Sequence, residues 1–183
     1  MGQIILAVDD QGNFLEYIPK DEGHTGNGKR HLAITVLIYN NKGEVLLQRR
    51  KHKVFDNIWD FTASTHPLHL EDGTDESLEQ ATLRALKYEY DIDVDYFLTK
   101  RDNISLKNLG SFNYFAQIGN LCENEHDHLL IGEYNGEIKL NPAVGYEYKW
   151  VKKEDFFEDI NKSPQKYTPW AIEAAKPLKG KLP

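Results

Sequence analysis

The first half of the chain is organised as short apolar runs separated by clusters of turn-forming residues. Two such runs flank residues 10–13 (DQGN), which predicts an opening β-hairpin. A second pair flanks residues 40–43 (NNKG) and predicts strands over about residues 31–39 and 44–49. The pattern therefore indicates that the N-terminal half is rich in β-structure.

The second half mixes helix-like and strand-like runs. Residues 56–75 are rich in turn formers, and the apolar side chains of residues 76–90 fit a helical stripe imperfectly. Charged residues and a Thr-Pro start signal predict two later helices. The remaining predicted elements are strands around residues 112–119, 128–136 and 146–151, and helices over residues 152–164 and 168–178. A mixed α/β fold follows.

Composition and charge restrict the class of protein. A chain of 183 residues with 40% hydrophobic content fits one domain, expected to span residues 1–183. A formal net charge of -7 argues against nucleic-acid and anionic-membrane partners, because phosphate contacts need clustered Lys and Arg. Cys122 is the single cysteine, the first residues lack a signal-peptide pattern, and no apolar run approaches about 20 residues. We expect a cytoplasmic protein, whose oligomeric state these features do not indicate.

Histidines and glutamates occur where the chain could bring them together. His24 lies in a glycine-rich loop, His31 opens a predicted strand, and His66 precedes the predicted helix. Glu123 and Glu125 are two residues apart, so on a strand they point to the same face. Imidazole and carboxylate groups together bind divalent metals. The alternative is that residues 123–128 form a solvated edge and that the histidines are ordinary surface residues; spacing alone does not decide.

An ordered set of motifs resembles the Nudix superfamily and, within it, the type I isopentenyl diphosphate isomerases, from about residue 3 to about residue 175. The set comprises H-x6-H (His24, His31), HLA, LLQRR ending at Arg50, Trp59, HP (His66-Pro67), E-x-E (Glu123, Glu125) and PW (Pro169-Trp170). The resemblance implies a Nudix-type α/β/α sandwich with a mixed central sheet. It also implies a divalent metal, Mg²⁺ with Mn²⁺ or Zn²⁺ as alternatives, on five ligands: His24, His31, His66, Glu123 and Glu125.

The same resemblance implies roles in a double-bond isomerisation, in which one proton is added and another is removed through a carbocation-like state. Glu125 corresponds to the acid or base of the E-x-E pair. Tyr114 corresponds to the tyrosine that assists it if one residue of slack is allowed, and Trp170 to the tryptophan that shields the cation. Plain core packing is the competing interpretation of Trp170.

A diphosphate substrate needs cationic partners and hard oxygen ligands for magnesium. Lys20 and Arg50 correspond to basic residues that contact the diphosphate in the isomerases, and Lys53 is a looser candidate. Glu89 corresponds to the glutamate that helps to place a second magnesium against the diphosphate. The competing interpretation is that these residues are solvated surface charges. The implied ligand is a small organic diphosphate.

Three positions depart from the family pattern. Ser64 stands where the isomerases have a cysteine, and a hydroxyl is a much weaker acid than a thiol, whose pKa is near 8.5. Ala85 and Tyr88 stand where Nudix hydrolases have metal-binding glutamates, and Ala85 also replaces a family arginine. Cys122 would point away from the Glu123 face of a strand and is expected to serve packing. Isomerase, diphosphate hydrolase and non-catalytic binding protein therefore all remain as hypotheses.

Overall fold

One mixed sheet contains all ten strands found within the residues that the computed structural model describes, 2–92 and 106–183. In chain order they are β1 Ile4–Val8, β2 Phe14–Pro19, β3 His31–Tyr39, β4 Glu44–Arg50, β5 Trp59–Asp60, β6 Ala63–Thr65, β7 Leu68–His69, β8 Lys107–Ile118, β9 Leu121–Glu133 and β10 Gly145–Lys152. The helices are α1 Lys20–Gly23, α2 Leu78–Tyr90, α3 Lys153–Lys162 and α4 Pro169–Leu178, with a 3₁₀ turn at Pro164–Lys166.

The hairpins and long helices lie where the hydrophobic pattern predicts them, within a few residues. The segment 56–75 differs, because it contains the short strands β5, β6 and β7 rather than turns alone. β5 pairs with the preceding strand β4, whereas β6 and β7 pair with strands more distant in sequence, β3 and β1. A two- or three-residue strand has no periodicity of its own, so only tertiary pairing reveals it.

Strand β3 organises the sheet around the candidate site. It runs antiparallel to β1, β4 and β6. It runs parallel to β9, in a register that places His31 beside Glu125 and Tyr39 beside Glu133. Strand β9 also forms an antiparallel hairpin with β8. The sheet is therefore mixed, and two predicted ligands are neighbours across one parallel pair.

Helices cover both faces of the sheet. Ile34, Val36 and Ile38 on one face of β3 pack in a cluster with α2. Leu37, on the opposite face, belongs to a second cluster with α3 and α4. Helix α2 begins with a reciprocal capping box between Ser77 and Gln80. The predicted α/β/α sandwich with a mixed central sheet is confirmed. Among the described residues, no helix is both long and apolar enough to cross a membrane.

Candidate metal centre and its pocket

Three histidines approach the sheet from three separate elements. His24 follows α1, His31 is the first residue of β3, and His66 follows β6. Their ring centroids lie 4.5 Å (His24–His31), 4.9 Å (His24–His66) and 5.0 Å (His31–His66) apart. The loop that carries His24 is fixed to β9, because Cys122 N donates a hydrogen bond to the His24 carbonyl. Backbone hydrogen bonds therefore bring these three rings together.

Strand β9 supplies the carboxylates. Glu123, Glu125 and Asp127 share one face of the strand, and the first two reach the histidines. Glu123 Oε2 lies 3.1 Å from His24 Nε2, and Glu125 Oε1 lies 2.9 Å from His66 Nε2 and 3.5 Å from His31 Nε2. One ligand atom from each of the five predicted residues lies within 4.8 Å of the others. The structure therefore brings these five side chains together, whereas Glu89, the sixth predicted metal residue, is not in the cluster.

The hydrogen bonds of two histidines suit a metal site. His24 Nδ1 lies 2.8 Å from the Lys20 carbonyl, and His31 Nδ1 lies 2.8 Å from the Lys29 carbonyl. Because a carbonyl only accepts, each Nδ1 carries the hydrogen and each Nε2 offers a lone pair to the centre. His31 Nε2 is buried without a hydrogen-bond partner among the described residues. This donor set fits a divalent metal ion.

The protonation states also favour metal binding. Burial lowers the pKa of His66 to about 3, so this ring is neutral near pH 7. Burial would raise the pKa of Glu125, but interactions with His31 and His66 hold that pKa well below its usual value. Burial would lower the pKa of His24, but the hydrogen bond and charge of Glu123 outweigh it and raise that pKa. Protons therefore compete with a metal for His24.

Tyr114 completes the environment of Glu125. It lies opposite Glu125 in the β8–β9 hairpin, and its buried hydroxyl donates a short hydrogen bond to Glu125 Oε2. Burial first, and the Glu125 charge second, raise the pKa of Tyr114 well above its ordinary value. Tyr114 is therefore a neutral hydrogen-bond donor to a carboxylate whose other oxygen faces His66.

A cavity of about 1110 Å³ opens beside the cluster. It brings together residues from both ends of the chain: Lys20, Arg50, Lys53, Ser64, Ala85, Tyr88, Glu89, Tyr114, Glu123, Glu125 and Trp170 line it, with His24 and His66. Three predicted basic residues, Lys20, Arg50 and Lys53, thus share one cavity with the His/Glu cluster. This arrangement can hold an anion next to a divalent ion.

Glu89 lies on the part of α2 that faces the cavity. Its Oε2 accepts a 2.7 Å hydrogen bond from Gln48 on β4. Burial raises the pKa of Glu89 to about 7, although Gln48 and the Arg50 charge act in the opposite direction. Arg84 on the same helix donates to Glu76 and to the His66 carbonyl at 2.9 Å. Arg84 therefore holds the backbone that presents His66.

Cys122 packs against the glycine-rich loop. It is buried, and its Sγ lies 3.9 Å from the Gly23 carbonyl. Gly28 has a φ of +55°, and a Cβ there would lie 2.2 Å from the Gly23 carbonyl oxygen and 2.6 Å from Cys122 Sγ. The loop that carries His24 therefore closes on β9 at a distance that only glycine permits.

Asp60 is the residue of this pocket that sequence analysis misses. Its carboxylate is almost fully buried and accepts hydrogen bonds from Arg50 Nη1 (3.0 Å), Trp170 Nε1 (3.0 Å), Thr168 Oγ1 (2.9 Å) and more weakly from Ser64 Oγ (3.4 Å). The sequence did contain a signal for it, an aspartate inside the apolar run IWDF. A charged residue in a run that is expected to be buried predicts hydrogen-bonding partners around it.

Comparison with known proteins agrees with this architecture. Residues 29–171 match the NUDIX domain. The isopentenyl-diphosphate Delta-isomerase 2 of Aromatoleum aromaticum is 30% identical over 169 residues, which cover 91% of this chain and 81% of that protein. The enzyme of the same name from Photorhabdus laumondii is 31% identical over 173 residues, covering 93% and 89%.

A solved structure from Deinococcus radiodurans shows the same fold. It aligns with a TM-score of 0.67 and 15% identity over 95% of this chain and 98% of that one. The family match covers most of the chain, and the relatives above align with nearly all of it. The chain belongs to the NUDIX domain family.

Proposed function

We propose that this protein is a metal-dependent enzyme acting on a small organic diphosphate in a pocket of the isopentenyl diphosphate isomerase type. The observation that carries the proposal is the convergence of the Glu125–Tyr114 pair, the His/Glu cluster and the Trp170 ring on one cavity. Fold alone would not suffice, because function resides in the site. The two relatives described above, which align with most of this chain, carry the name isopentenyl-diphosphate Delta-isomerase 2.

The proposed metal ligands are His24, His31, His66, Glu123 and Glu125. Their mixed imidazole and carboxylate atoms suit Mg²⁺, Mn²⁺ or Zn²⁺. When bound, the ion supplies positive charge that offsets the two glutamates. Glu89, on the other side of the cavity, is proposed as an oxygen ligand for a magnesium ion that accompanies the diphosphate.

The proposed substrate contacts divide the cavity into two ends. Lys20 and Arg50, with Lys53 at the rim, neutralise the diphosphate. At the other end, the proposed role of Glu125 is to exchange a proton with the hydrocarbon part, assisted by the hydrogen bond from Tyr114. Trp170 is 2% exposed and lines the cavity, and its proposed role is to shield a cationic intermediate from water.

Ser64 supports a second candidate, hydrolysis of an organic diphosphate. Its hydroxyl lies 3.4 Å from Asp60 Oδ2, so a substrate would compete with Asp60 for the Ser64 proton. A serine in this geometry is a poor proton donor, whereas metal-bound water is an established nucleophile in related chemistry. Against hydrolysis, Ala85 and Tyr88 line the cavity where hydrolases of the superfamily carry glutamates.

The decisive experiment measures both reactions on one preparation. Metal-stripped protein is reconstituted with Mg²⁺, Mn²⁺ or Zn²⁺ and incubated with isopentenyl diphosphate and with nucleoside and sugar diphosphates. NMR detects a shifted double bond, and a phosphate assay detects hydrolysis. We expect metal-dependent turnover of at least one organic diphosphate, abolished by Glu125→Gln.

Glu133→Gln is the matched control, because Glu133 lies at the far end of β9 and does not line the cavity. We expect this variant to retain activity. Absence of turnover or binding of any organic diphosphate by the reconstituted protein would overturn the proposal. Phosphate release without isomerisation would select the hydrolase.

A further inference from the structure

The two oxygens of the Asp60 carboxylate face different parts of the molecule. Oδ1 accepts from its neighbouring backbone, Phe61 N at 2.8 Å, and from Thr168 Oγ1 at 2.9 Å. Thr168 caps α4, so this oxygen is tied to the scaffold on both sides. Oδ2 accepts from side chains that line the cavity, Arg50, Trp170 and Ser64.

The donors saturate this carboxylate. Every hydrogen bond at Asp60 comes from an N–H or O–H group, and none of them requires a carboxyl proton. Burial raises the pKa of Asp60, although the Arg50 charge and the hydrogen bonds from Thr168 and the Phe61 amide act in the opposite direction. An ionised carboxylate has acceptor sites only, and these donors match it. A buried anion with these partners stays fixed, because losing any of them leaves a charge or a donor unpaired.

Arg50 and Trp170 contact each other as well as Asp60. The Arg50 guanidinium carbon lies 4.8 Å from the centroid of the Trp170 ring, a cation–π distance. Phe55 packs edge-on against the same ring at 5.3 Å. Arg50 uses Nη1 for Asp60, and its Nε is buried without a hydrogen-bond partner among residues 2–92 and 106–183. The guanidinium is therefore anchored on Asp60 through Nη1, while the Arg50 side chain still lines the cavity.

We propose that Asp60 is a positioning residue that clamps Arg50 and Trp170 together, so that the diphosphate end and the apolar end of the cavity keep a fixed separation. This inference rests on the proposed function for the roles of those two side chains. Asp60 itself does not contact substrate. It acts through the orientation of the guanidinium and the indole, while Thr168 holds it in place.

The test is Asp60→Asn, which keeps the size of the side chain but replaces the anion with an amide. Binding of inorganic diphosphate with Mg²⁺ is measured by titration calorimetry. The exposure of Trp170 is measured by acrylamide quenching in a background with Trp59→Phe and Trp150→Phe. Asp159→Asn is the matched control, since Asp159 accepts from Tyr167 and Lys166 outside the cavity.

We expect Asp60→Asn to weaken diphosphate binding by about 10- to 100-fold, the loss that follows from removing hydrogen bonds to a charged group. Trp170 should become accessible to acrylamide, while Asp159→Asn changes neither quantity. If Asp60 merely neutralised Arg50, its removal would instead tighten diphosphate binding and leave Trp170 shielded. That result would overturn the inference.

Two further measurements keep the test decisive. If Asp60→Asn does not fold, Thr168→Val removes one anchor of the carboxylate, and we expect a smaller loss of the same kind; unchanged binding and quenching would refute the clamp. If the unmodified protein binds no diphosphate, the proposed function fails. In that case, comparing acrylamide quenching of Trp170 between the unmodified protein and the Asp60→Asn variant still decides whether Asp60 holds the indole in place.

Discussion

The close contact between the His24 loop and β9 predicts a specific cost for Gly28→Ala. A left-handed φ of +55° costs a residue with a Cβ about 1–2 kcal/mol. The added Cβ also meets the Gly23 carbonyl oxygen at 2.2 Å, a backbone atom that no side-chain rotation can move. Overpacking of this kind costs about 1–3 kcal/mol. We therefore expect unfolding free energy to fall by about 2–5 kcal/mol.

Gly26→Ala in the same loop separates the two contributions. Gly26 has a φ of +67° but no atom within 4 Å of a Cβ built there, so only the conformational cost of about 1–2 kcal/mol applies. Urea denaturation of the metal-free proteins, followed by circular dichroism, measures both losses. The difference of about 1–3 kcal/mol is the cost of the close approach.

Metal affinity provides the functional measurement for the same pair. Relief of the clash requires Gly28 and Gly23 to move apart, and His24 directly follows Gly23, so the displacement reaches a predicted metal ligand and its hydrogen bond from Cys122 N. We expect Gly28→Ala to weaken Mn²⁺ binding by about tenfold or more by calorimetry, and Gly26→Ala to change it little. Equal loss of stability and equal Mn²⁺ affinity in the two variants would refute this reasoning.

Three further predictions concern protons and chemistry. Because Glu123 raises the pKa of His24, acidification from neutral pH should protonate this ring, and Mn²⁺ affinity measured by calorimetry should fall as the pH is lowered and recover when it is raised. Burial raises the pKa of Glu89 to about 7, so its side chain is mostly ionised above that pH. Binding of Mg²⁺ with diphosphate should therefore strengthen from pH 6 to pH 8. The Glu89→Gln variant should bind Mg²⁺ with diphosphate more weakly and should lack this increase in affinity with pH. A persistent pH dependence of the same size in Glu89→Gln would exclude that role. The unmodified protein should isomerise isopentenyl diphosphate poorly, and Ser64→Cys should raise the single-turnover rate by up to about 10²–10⁴-fold through a better matched acid; no gain, even with Ala85→Arg added, would favour hydrolysis or simple binding.

Elements with local signals could be predicted from the sequence. The turn residues 40–43 sit between strands β3 and β4 as expected, and the two-residue spacing of Glu123 and Glu125 correctly implied a common face on a strand. Motif order, rather than any single motif, brought the three histidines into the same predicted site. The turn and the Glu123/Glu125 spacing are signals between residues close together in the chain, whereas the histidines were linked by the order of motifs in a known family.

Contacts between distant segments could not be predicted in the same way. Asp60 accepts hydrogen bonds from Thr168 and Trp170, which lie 108 and 110 residues later in the chain. A single aspartate forms no sequence pattern from which such distant partners could be predicted. Tyr114 matches the family tyrosine only with one residue of slack, so the sequence alone did not fix its position relative to Glu125. Only the paired strands show that Tyr114 lies directly opposite Glu125.

The parallel alignment of β3 with β9 links the site to the order of folding events. His31 and Glu125 are neighbours in that ladder although 94 positions separate them along the chain. Pairings of such long sequence separation form slowly, and a slip of one residue would turn Glu125 to the opposite face. The five ligands therefore come together only after this late pairing is complete and correct. The rate at which a refolding chain acquires Mn²⁺ affinity should consequently report its slowest long-range step, making the metal a kinetic probe of correct strand register.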